Sequence, residues 1–361
     1  MASFSFSNIA IRAISTAVPV DVKKFDLSDR QAARFVKQMG IEQVHISLSE
    51  QTIVDLGYVA LKQALAKANW STDDLDLLIV NTQSPDFAGG AGDSALLHYY
   101  LGLKESCAFF DTSMGCAAVP TLLTIAGSLL NNQQQPKRIA IVTGDTMWNQ
   151  YRDKSSIESK THMLAGDSAS VLLIEKQESV PTIETMLFGD GSGYKHLIFL
   201  AGVKSVWHQS DSYIVPDGAQ VSIDNSTQWS GYMNGIAIHE FATGRVCDSI
   251  KKYYNDKLNS FDYVVFHQAN KQIVKTLATK LQLDSSKVLS SLDRYGNNSS
   301  ASPLLVICDH LSKLDHDVHI FNASFGIGLS WGFSDFVLSP DVVCPIIETD
   351  QHFTEHMLKP M

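Results

Sequence analysis

The chain has 361 residues, of which 45% are hydrophobic and 18% are charged, and its formal net charge is −10. This composition excludes a disordered protein and leaves room for two domains or for one large two-part core. The negative charge argues against nucleic acid as a main partner, because phosphate binding needs a clustered positive surface. A local basic patch could still hold one phosphate group of a carrier.

Short apolar and β-branched runs alternate along the chain with longer amphipathic stretches. The runs predict buried strands at 75–80, 138–142, 262–266 and 318–321, and apolar residues at helical spacing predict a helix over 271–283. Strand–helix alternation of this kind is typical of an α/β layered fold. The segment 189–235 is rich in Gly, Ser, Asp and Tyr, and we expect loops there, close to a functional site.

Two pairs of segments hint at an internal duplication. The run 76–81 resembles the run 262–267, and each precedes a helical stretch. Later in each half a strand ends in a turn of small residues, at 142–145 and at 321–324. Two similar halves joined near 176–230 would explain both pairs, although buried strands resemble one another in unrelated proteins.

Cys116 lies where a predicted strand, a tight turn and a predicted helix meet. The run 108–111 ends the strand, 112–115 forms the turn, and 117–130 is small and apolar at helical spacing. A helix N-terminus carries partial positive charge, so we expect it to lower the pKa of a thiol placed there. Gly115 leaves room for a substrate to approach. The alternative is a buried structural cysteine, because free cysteine is among the most buried residue types.

Two polar residues further along the chain are candidates to assist that thiol. His267 ends the strand predicted at 262–266, and a neutral imidazole there can move protons or donate to a developing oxyanion. Asn297 follows a glycine in a turn, and its amide offers two donors without losing a proton. In isolation, a core histidine and a turn asparagine are the simpler interpretations.

Taken together and in this order, the segments resemble β-ketoacyl-acyl-carrier-protein synthase III and its relatives in the thiolase superfamily. The resemblance covers roughly residues 8–340. The nucleophile turn at 111–118, the histidine motif at 267–270 and the asparagine motif at 295–302 match the family's pattern. Further similar segments are 164–170, 189–193, 233–238 and 325–332. An ordered set of this kind is far more specific than any single motif.

The resemblance implies a five-layer αβαβα fold of two related halves, 1–176 carrying the nucleophile and 177–361 carrying the histidine and asparagine, in a homodimer. It implies that Cys116 takes an acyl group from a CoA or acyl-carrier-protein thioester, without a further cofactor or metal. His267 and Asn297 would then hold a malonyl-type extender as it loses carbon dioxide and attacks the acyl group. The main-chain N–H groups of Cys116 and Gly326 would form the oxyanion hole. Asn270, Asn234 and Phe325 would contact the substrate and its pantetheine arm.

The sequence departs from the family's pattern at its CoA-binding positions. An arginine expected two residues after the histidine motif is Gln272, with Lys271 beside it, and the Trp and Arg that flank the CoA adenine are not evident near the N-terminus. These departures predict a specialised relative from secondary metabolism. Such relatives include ketosynthase-cyclases that join two β-keto acyl units into a ring, and acyltransferases that esterify or amidate an acceptor.

Three other classes of protein remain as alternatives. A thiol hydrolase can use the same Cys-His-Asn set, and a non-catalytic subunit can retain the fold. A metal enzyme is the weakest alternative, because the histidines at 310, 316 and 319 do not follow a known ligand spacing.

The remaining expectations concern location. The N-terminus lacks the pattern of a signal peptide, and no apolar run approaches the ~18 residues of a membrane span. The cysteines are scattered and odd in number, which predicts reduced thiols and a cytoplasmic protein without a disulfide framework: Cys107, Cys116, Cys247, Cys308 and Cys344.

Overall fold

A computed structural model of the chain describes residues 1–47, 50–87, 92–131, 136–148, 163–199, 212–214, 217–218, 220–222 and 231–355. The helices of this part are α1 (Arg30–Met39), α2 (Ile53–Ala68), α3 (Asp93–Leu101), α4 (Ala118–Leu130), α5 (Gly235–Glu240), α6 (Cys247–Tyr254), α7 (Lys271–Lys280), α8 (Leu292–Tyr295) and α9 (Ser302–Leu311). The strands up to residue 189 are β1 (Ala2–Phe6), β2 (Ile9–Pro19), β3 (Val22–Lys24), β4 (Gln43–His45), β5 (Leu77–Asn81), β6 (Ala108–Thr112), β7 (Arg138–Asp145), β8 (Ser168–Lys176) and β9 (Ile183–Gly189). The later strands are β10 (Leu197–Phe199), β11 (Ser212–Ile214), β12 (Gln220–Ser222), β13 (Gly231–Met233), β14 (Tyr263–Phe266), β15 (Val288–Leu289), β16 (Val318–Gly326), β17 (Ser330–Leu338) and β18 (Ile347–Thr349).

Two six-stranded mixed sheets form the frame of the molecule. Their strand orders are β18-β2-β8-β7-β5-β6 and β1-β9-β17-β16-β14-β15. In each sheet three neighbouring strands are parallel, β6-β5-β7 in the first and β15-β14-β16 in the second. The next strand, β8 or β17, pairs antiparallel with that group. The sequence match of 76–81 with 262–267 therefore joins strands at equivalent places, β5 and β14, as the duplication predicts.

Alternating side chains along the strands place the sheets in five layers. In β5, Leu77 and Ile79 face a central cluster, while Leu78 and Val80 face an outer one. The period of two is that of a strand buried on both faces. The central cluster contains α4 and α9 between the two sheets. The outer clusters cover the first sheet with α2 and α3, and the second with α5, α6 and α7. The layers thus alternate helix, sheet, helix, sheet and helix.

The predicted elements agree with the structure to within a few residues, with two qualifications. The helix predicted over 271–283 ends at Lys280, because Gln282 takes a left-handed conformation with φ of 54°. Much of the predicted loop segment 189–235 lies outside the described residues; its described parts include the short strands β10 to β13.

The first and the last strand each join the sheet formed mainly by the opposite half of the chain. β1 pairs with β9 in the second sheet, and β18 pairs with β2 in the first. The predicted division between residues 176 and 177 falls between β8 and β9. β8 is the last long strand of the first sheet, and β9 is the first long strand of the second sheet. As a domain boundary it stays a prediction.

Candidate active site

The turn that carries Cys116 is held by an asparagine at the end of a neighbouring strand. Cys116 lies between β6 and α4, and Asn81 ends β5 with its side chain fully buried. The Asn81 amide donates to the carbonyl of Met114 (2.9 Å) and accepts from the N–H of Met114 (2.8 Å) and from Thr112 Oγ1 (2.8 Å). Because one rigid side chain makes all three bonds, the nucleophile turn has a fixed position against the sheet.

The same asparagine connects the turn to the second half of the chain. Asn81 also donates to Thr143 Oγ1 (3.0 Å), which donates to Ser300 Oγ (2.9 Å) in the asparagine motif. Asn81, Thr143 and Ser300 are all fully buried, so water cannot compete for these bonds. Hydrogen bonds between residues more than 150 positions apart in the chain therefore fix the relative position of the two motifs at the site.

The Cys116 residue is half-buried, and its surroundings keep the thiol protonated. Its Sγ is 3.9 Å from Ser299 Oγ, and a Cβ added at Gly326 would lie 3.2 Å from Sγ and 2.7 Å from the cysteine Cβ. The pKa of Cys116 is raised to about 12, chiefly by burial; the Ser299 hydroxyl lowers it and the Asp145 carboxylate contributes to the increase. The expectation that the helix start lowers the pKa of this thiol is therefore wrong, because desolvation and a nearby negative charge outweigh it.

His267 follows β14 directly and is as deeply buried as the core. It is 2% exposed, and its main-chain N–H donates to the carbonyl of Ala323 (2.9 Å), which fixes its backbone to β16. Burial lowers the pKa of His267 to about 3, while a hydrogen bond with the Ser299 main chain raises it. With this pKa the imidazole is neutral at physiological pH. Its Nδ1 has no hydrogen-bond partner among the described residues.

Asn297 lies in the loop between α8 and α9, and both its main chain and its side chain are held. Its N–H donates to the carbonyl of Leu164 (2.8 Å), and its carbonyl accepts from the N–H of Gly166 (3.0 Å). Its Oδ1 accepts from the N–H of Ser299 (2.9 Å). Because the amide oxygen is used within the loop, the Nδ2 group is the part of the side chain left to donate to a substrate.

Ser299 contacts all three predicted catalytic residues, and the sequence did not single it out. Its hydroxyl is next to Cys116, its main chain raises the pKa of the His267 imidazole, and its N–H bonds to Asn297. The residue has φ of 45°, in the left-handed region that is unfavourable for a serine. Its hydroxyl also lowers the pKa of Asp145, a buried group whose pKa desolvation raises to about 6. A strained backbone fixed by several partners is characteristic of an active site.

Two of the three predicted catalytic residues, Cys116 and Asn297, border a small cavity with a mainly apolar wall. Its volume is about 90 Å³. Cys116, Asn297 and Ser299 lie on one side of it, and the polar side chain of Gln83 is also exposed to it. The described apolar residues of the wall are Met147, Leu164, Ala165, Leu197, Met233 and Ile327. An enclosure of this composition suits the first carbons of an acyl chain on the thiol.

The other predicted site residues lie around this centre. Phe325 is buried and packs edge-to-face on His267, with ring centroids 5.6 Å apart, and its neighbour Gly326 touches Cys116. Asn270 caps α7 by accepting from the N–H of Ile273 (2.9 Å). Asn234 caps α5 and donates to Asp217 (2.7 Å). The role of Gly326 in an oxyanion hole, and those of Phe325, Asn270 and Asn234 in substrate binding, stay predictions.

Two further observations concern the described part of the chain as a whole. It contains no group of three or more His, Cys, Asp or Glu side chains arranged to hold a metal ion, and no helix long and apolar enough to cross a bilayer. All five cysteines are free thiols, and each except Cys116 is buried.

Comparison with known proteins agrees with this geometry. Residues 110–191 match the model of the 3-oxoacyl-[acyl-carrier-protein] synthase III family, and residues 255–334 match the model of that enzyme's C-terminal part. The β-ketoacyl-[acyl-carrier-protein] synthase III of Porphyra purpurea is 31% identical over 300 residues, which are 81% of this chain and 86% of that protein. The chain belongs to the β-ketoacyl-acyl-carrier-protein synthase III family. It is an acyltransferase, a condensing enzyme that forms a carbon–carbon bond by Claisen condensation.

Other relatives and solved structures extend the likeness. The synthase III of a Synechocystis strain is 28% identical over 82% of this chain and 86% of its own length. A 3-oxoacyl-(acyl-carrier-protein) synthase from Burkholderia xenovorans superimposes with a TM-score of 0.82 at 23% identity, over 96% of this chain and 99% of that one. The priming β-ketosynthase of the R1128 polyketide pathway gives 0.77 at 20% identity, over 93% and 98%. The fold is the thiolase-like five-layer αβαβα fold predicted from the sequence.

Proposed function

We propose that this condensing enzyme loads an acyl group onto Cys116 from a CoA or acyl-carrier-protein thioester and extends it with a malonyl-type unit. The observation that supports the assignment of residues is the position of Ser299, which contacts Cys116, His267 and Asn297 at once. Three side chains held through one buried residue act as a unit, which is what acyl transfer followed by condensation requires.

The loading step begins with an uncharged pair. The Cys116 thiol, with its pKa near 12, and the His267 imidazole, with its pKa near 3, are both neutral in the free enzyme. The thiol proton therefore leaves as Sγ attacks the thioester carbonyl, and His267 is the base within this site. The carrier's thiolate departs with that proton, and the S-acyl enzyme remains. Main-chain N–H groups of Cys116 and Gly326 would donate to the oxyanion of the intermediate.

The condensation step uses the same neutral groups as hydrogen-bond donors. An N–H of His267 and the Nδ2 group of Asn297 would donate to the thioester carbonyl of the extender as it loses carbon dioxide. The enolate formed attacks the acyl carbon on Cys116, a carbon–carbon bond forms, and the cysteine sulfur leaves and regains a proton. Donors that are held before the charge develops need no reorganisation during the reaction.

Intact-protein mass spectrometry with a panel of acyl-CoA and acyl-carrier thioesters tests the proposal. We expect a mass increase that maps to Cys116, and Cys116→Ala should abolish loading while the protein stays folded. Cys107→Ala is the matched control, because Cys107 is a buried thiol outside the site, and it should load normally. A loaded enzyme that releases only free acid with every extender would favour a thiol hydrolase. A protein that never acquires an adduct would favour a non-catalytic subunit.

We also propose that the enzyme is a homodimer paired through β6. Within the described part of the chain β6 pairs only with β5, so its other edge is open. Phe109 on this strand is 45% exposed, and an open edge with an apolar side chain is normally covered by another chain. We propose a second copy of this chain as the partner that covers this edge. Because β6 leads directly into the turn that carries Cys116, such a dimer would also support that turn. Phe109→Lys should shift the mass measured by light scattering from dimer to monomer, whereas Tyr194→Lys, at an exposed aromatic residue distant in sequence, should not.

The cellular location is part of the same proposal. Five free thiols suit a reducing compartment, so we place the enzyme in the cytoplasm. Its place in secondary metabolism rests on the sequence departures at the CoA-binding positions.

A further inference from the structure

The cavity beside Cys116 contains one polar side chain that the mechanism does not use. Gln83 borders it together with Cys116, and most of the remaining wall is apolar. None of the hydrogen bonds within the described part of the chain involves the Gln83 carboxamide; its main-chain N–H alone bonds, to Oδ1 of Asp145 (2.6 Å). A carboxamide has two donors and an acceptor, and Gln83 is half-buried, so a substrate that covers it without a hydrogen bond would leave these groups unpaired away from water, which is unfavourable.

The backbone around Gln83 is fixed, so its side chain leaves the chain at a fixed point beside the cavity. Thr82 on one side donates to the carbonyl of Thr112 (3.1 Å) from its N–H and to Asp145 (3.0 Å) from its hydroxyl. Ser84 on the other side accepts from the N–H of Thr146 (2.8 Å). A fixed backbone removes one part of the entropic cost that a binding partner of this side chain would otherwise meet.

The carboxamide lies close to the point at which an acyl chain is attached. A Cβ added at Gly115 would lie 2.6 Å from Gln83 Oε1 and 2.5 Å from Ile327 Cγ2, so both side chains press on the residue that precedes Cys116. Consecutive Cα atoms are about 3.8 Å apart, so the carboxamide lies within one residue of the point at which an acyl chain is attached.

From these contacts we infer that Gln83 determines donor choice, and that the preferred donors are acyl thioesters with an oxygen substituent on carbon 3, a hydroxyl or a keto group. The inference rests on the proposed loading of Cys116 and narrows it to a class of substrate. An unsubstituted chain would displace water from the carboxamide and offer no hydrogen bond in return. A 3-hydroxyl or 3-oxo group supplies the missing partner.

Three matched four-carbon donors test the inference: butyryl, 3-hydroxybutyryl and acetoacetyl, each as a CoA and as a pantetheine thioester. The rate of loading of Cys116 is followed by intact-protein mass spectrometry. The wild-type enzyme should load the two oxygenated donors at least about tenfold faster than butyryl. Gln83→Met should remove most of that preference, chiefly by slowing the oxygenated donors. Met147→Leu changes the apolar wall alone and should alter the three rates by a common factor.

Two outcomes would overturn the inference. One is a wild-type enzyme that loads butyryl as fast as the oxygenated donors. The other is a Gln83→Met variant that slows all three donors equally, because the carboxamide would then act on the thioester carbonyl that they share or on the fold. A wild-type enzyme that loads none of the donors from either carrier would instead refute the proposed function, and this inference with it.

Discussion

Gly326 offers a direct test of how closely the site is packed around its nucleophile. The residue ends β16 and does not need a glycine's conformational freedom, since its φ is not in the positive region. A Cβ at this position would lie 2.7 Å from the Cβ of Cys116. Carbon atoms pack at about 3.5–4.0 Å, so in Gly326→Ala the cysteine must retreat by about 1 Å. A displacement of this size can cost about 100-fold in rate, and overpacking about 1–3 kcal/mol in stability.

The assay compares the rate of acyl loading of Cys116 with the melting temperature of the same variant. Gly326→Ala keeps its main-chain N–H, so a slower rate reports the displaced thiol and not a lost donor. Gly189→Ala is the control in the same sheet, because the nearest atom to its new Cβ would be the carbonyl oxygen of Leu329 at 4.0 Å. A Gly326→Ala variant that loads at the wild-type rate would refute the contact between this glycine and the nucleophile.

Two further predictions concern the charge and hydroxyl next to the thiol, and both are measured as the rate of alkylation of Cys116 by iodoacetamide against pH. Asp145→Asn removes a carboxylate that raises the thiol pKa, so alkylation at pH 8 should be faster than in the wild type. The difference should shrink below pH 6, since the pKa of Asp145 is about 6 and the wild-type carboxyl is protonated there; a difference that persists at pH 5 would exclude a charge effect. Ser299→Ala removes a hydroxyl that lowers the thiol pKa, so alkylation at pH 8 should be slower, and loading with it. An unchanged pH profile in Ser299→Ala, together with slower loading, would mean that the hydroxyl acts only through structure.

The fold could be predicted from the sequence because its signals are local. A buried strand such as 138–142 shows itself by consecutive apolar residues, and the structure extends it only to Asp145. The sequence similarity between 76–81 and 262–267 predicted that β5 and β14 occupy equivalent places in the two sheets. The exchange of β1 and β18 between the sheets was not predictable, because neither short strand has an internal signal for the partner that it pairs with.

The sequence could indicate only the principal residues of the candidate site, and their catalytic roles stay predictions. Cys116, His267 and Asn297 each end or follow a recognisable element, whereas the function of Ser299 depends on contacts with a residue 183 positions away. Asn81 carried one local signal, a polar residue at the end of a strand that is otherwise apolar. The direction of the thiol pKa shift could not be predicted, because it depends on burial by segments that are distant in sequence.

The neutral resting state of the site has a consequence for how the enzyme controls its own reactivity. A thiolate is the reactive form of cysteine, both toward thioesters and toward oxidants. With the thiol pKa near 12, Cys116 holds little thiolate at neutral pH, and the low pKa of His267 prevents the imidazole from forming a stable ion pair with it. In the proposed mechanism, attack then requires a thioester whose carbonyl lies against the predicted oxyanion donors, since the negative charge must be stabilised as it forms on the oxygen. Burial, which seems to weaken the nucleophile, thus makes its activation depend on the substrate.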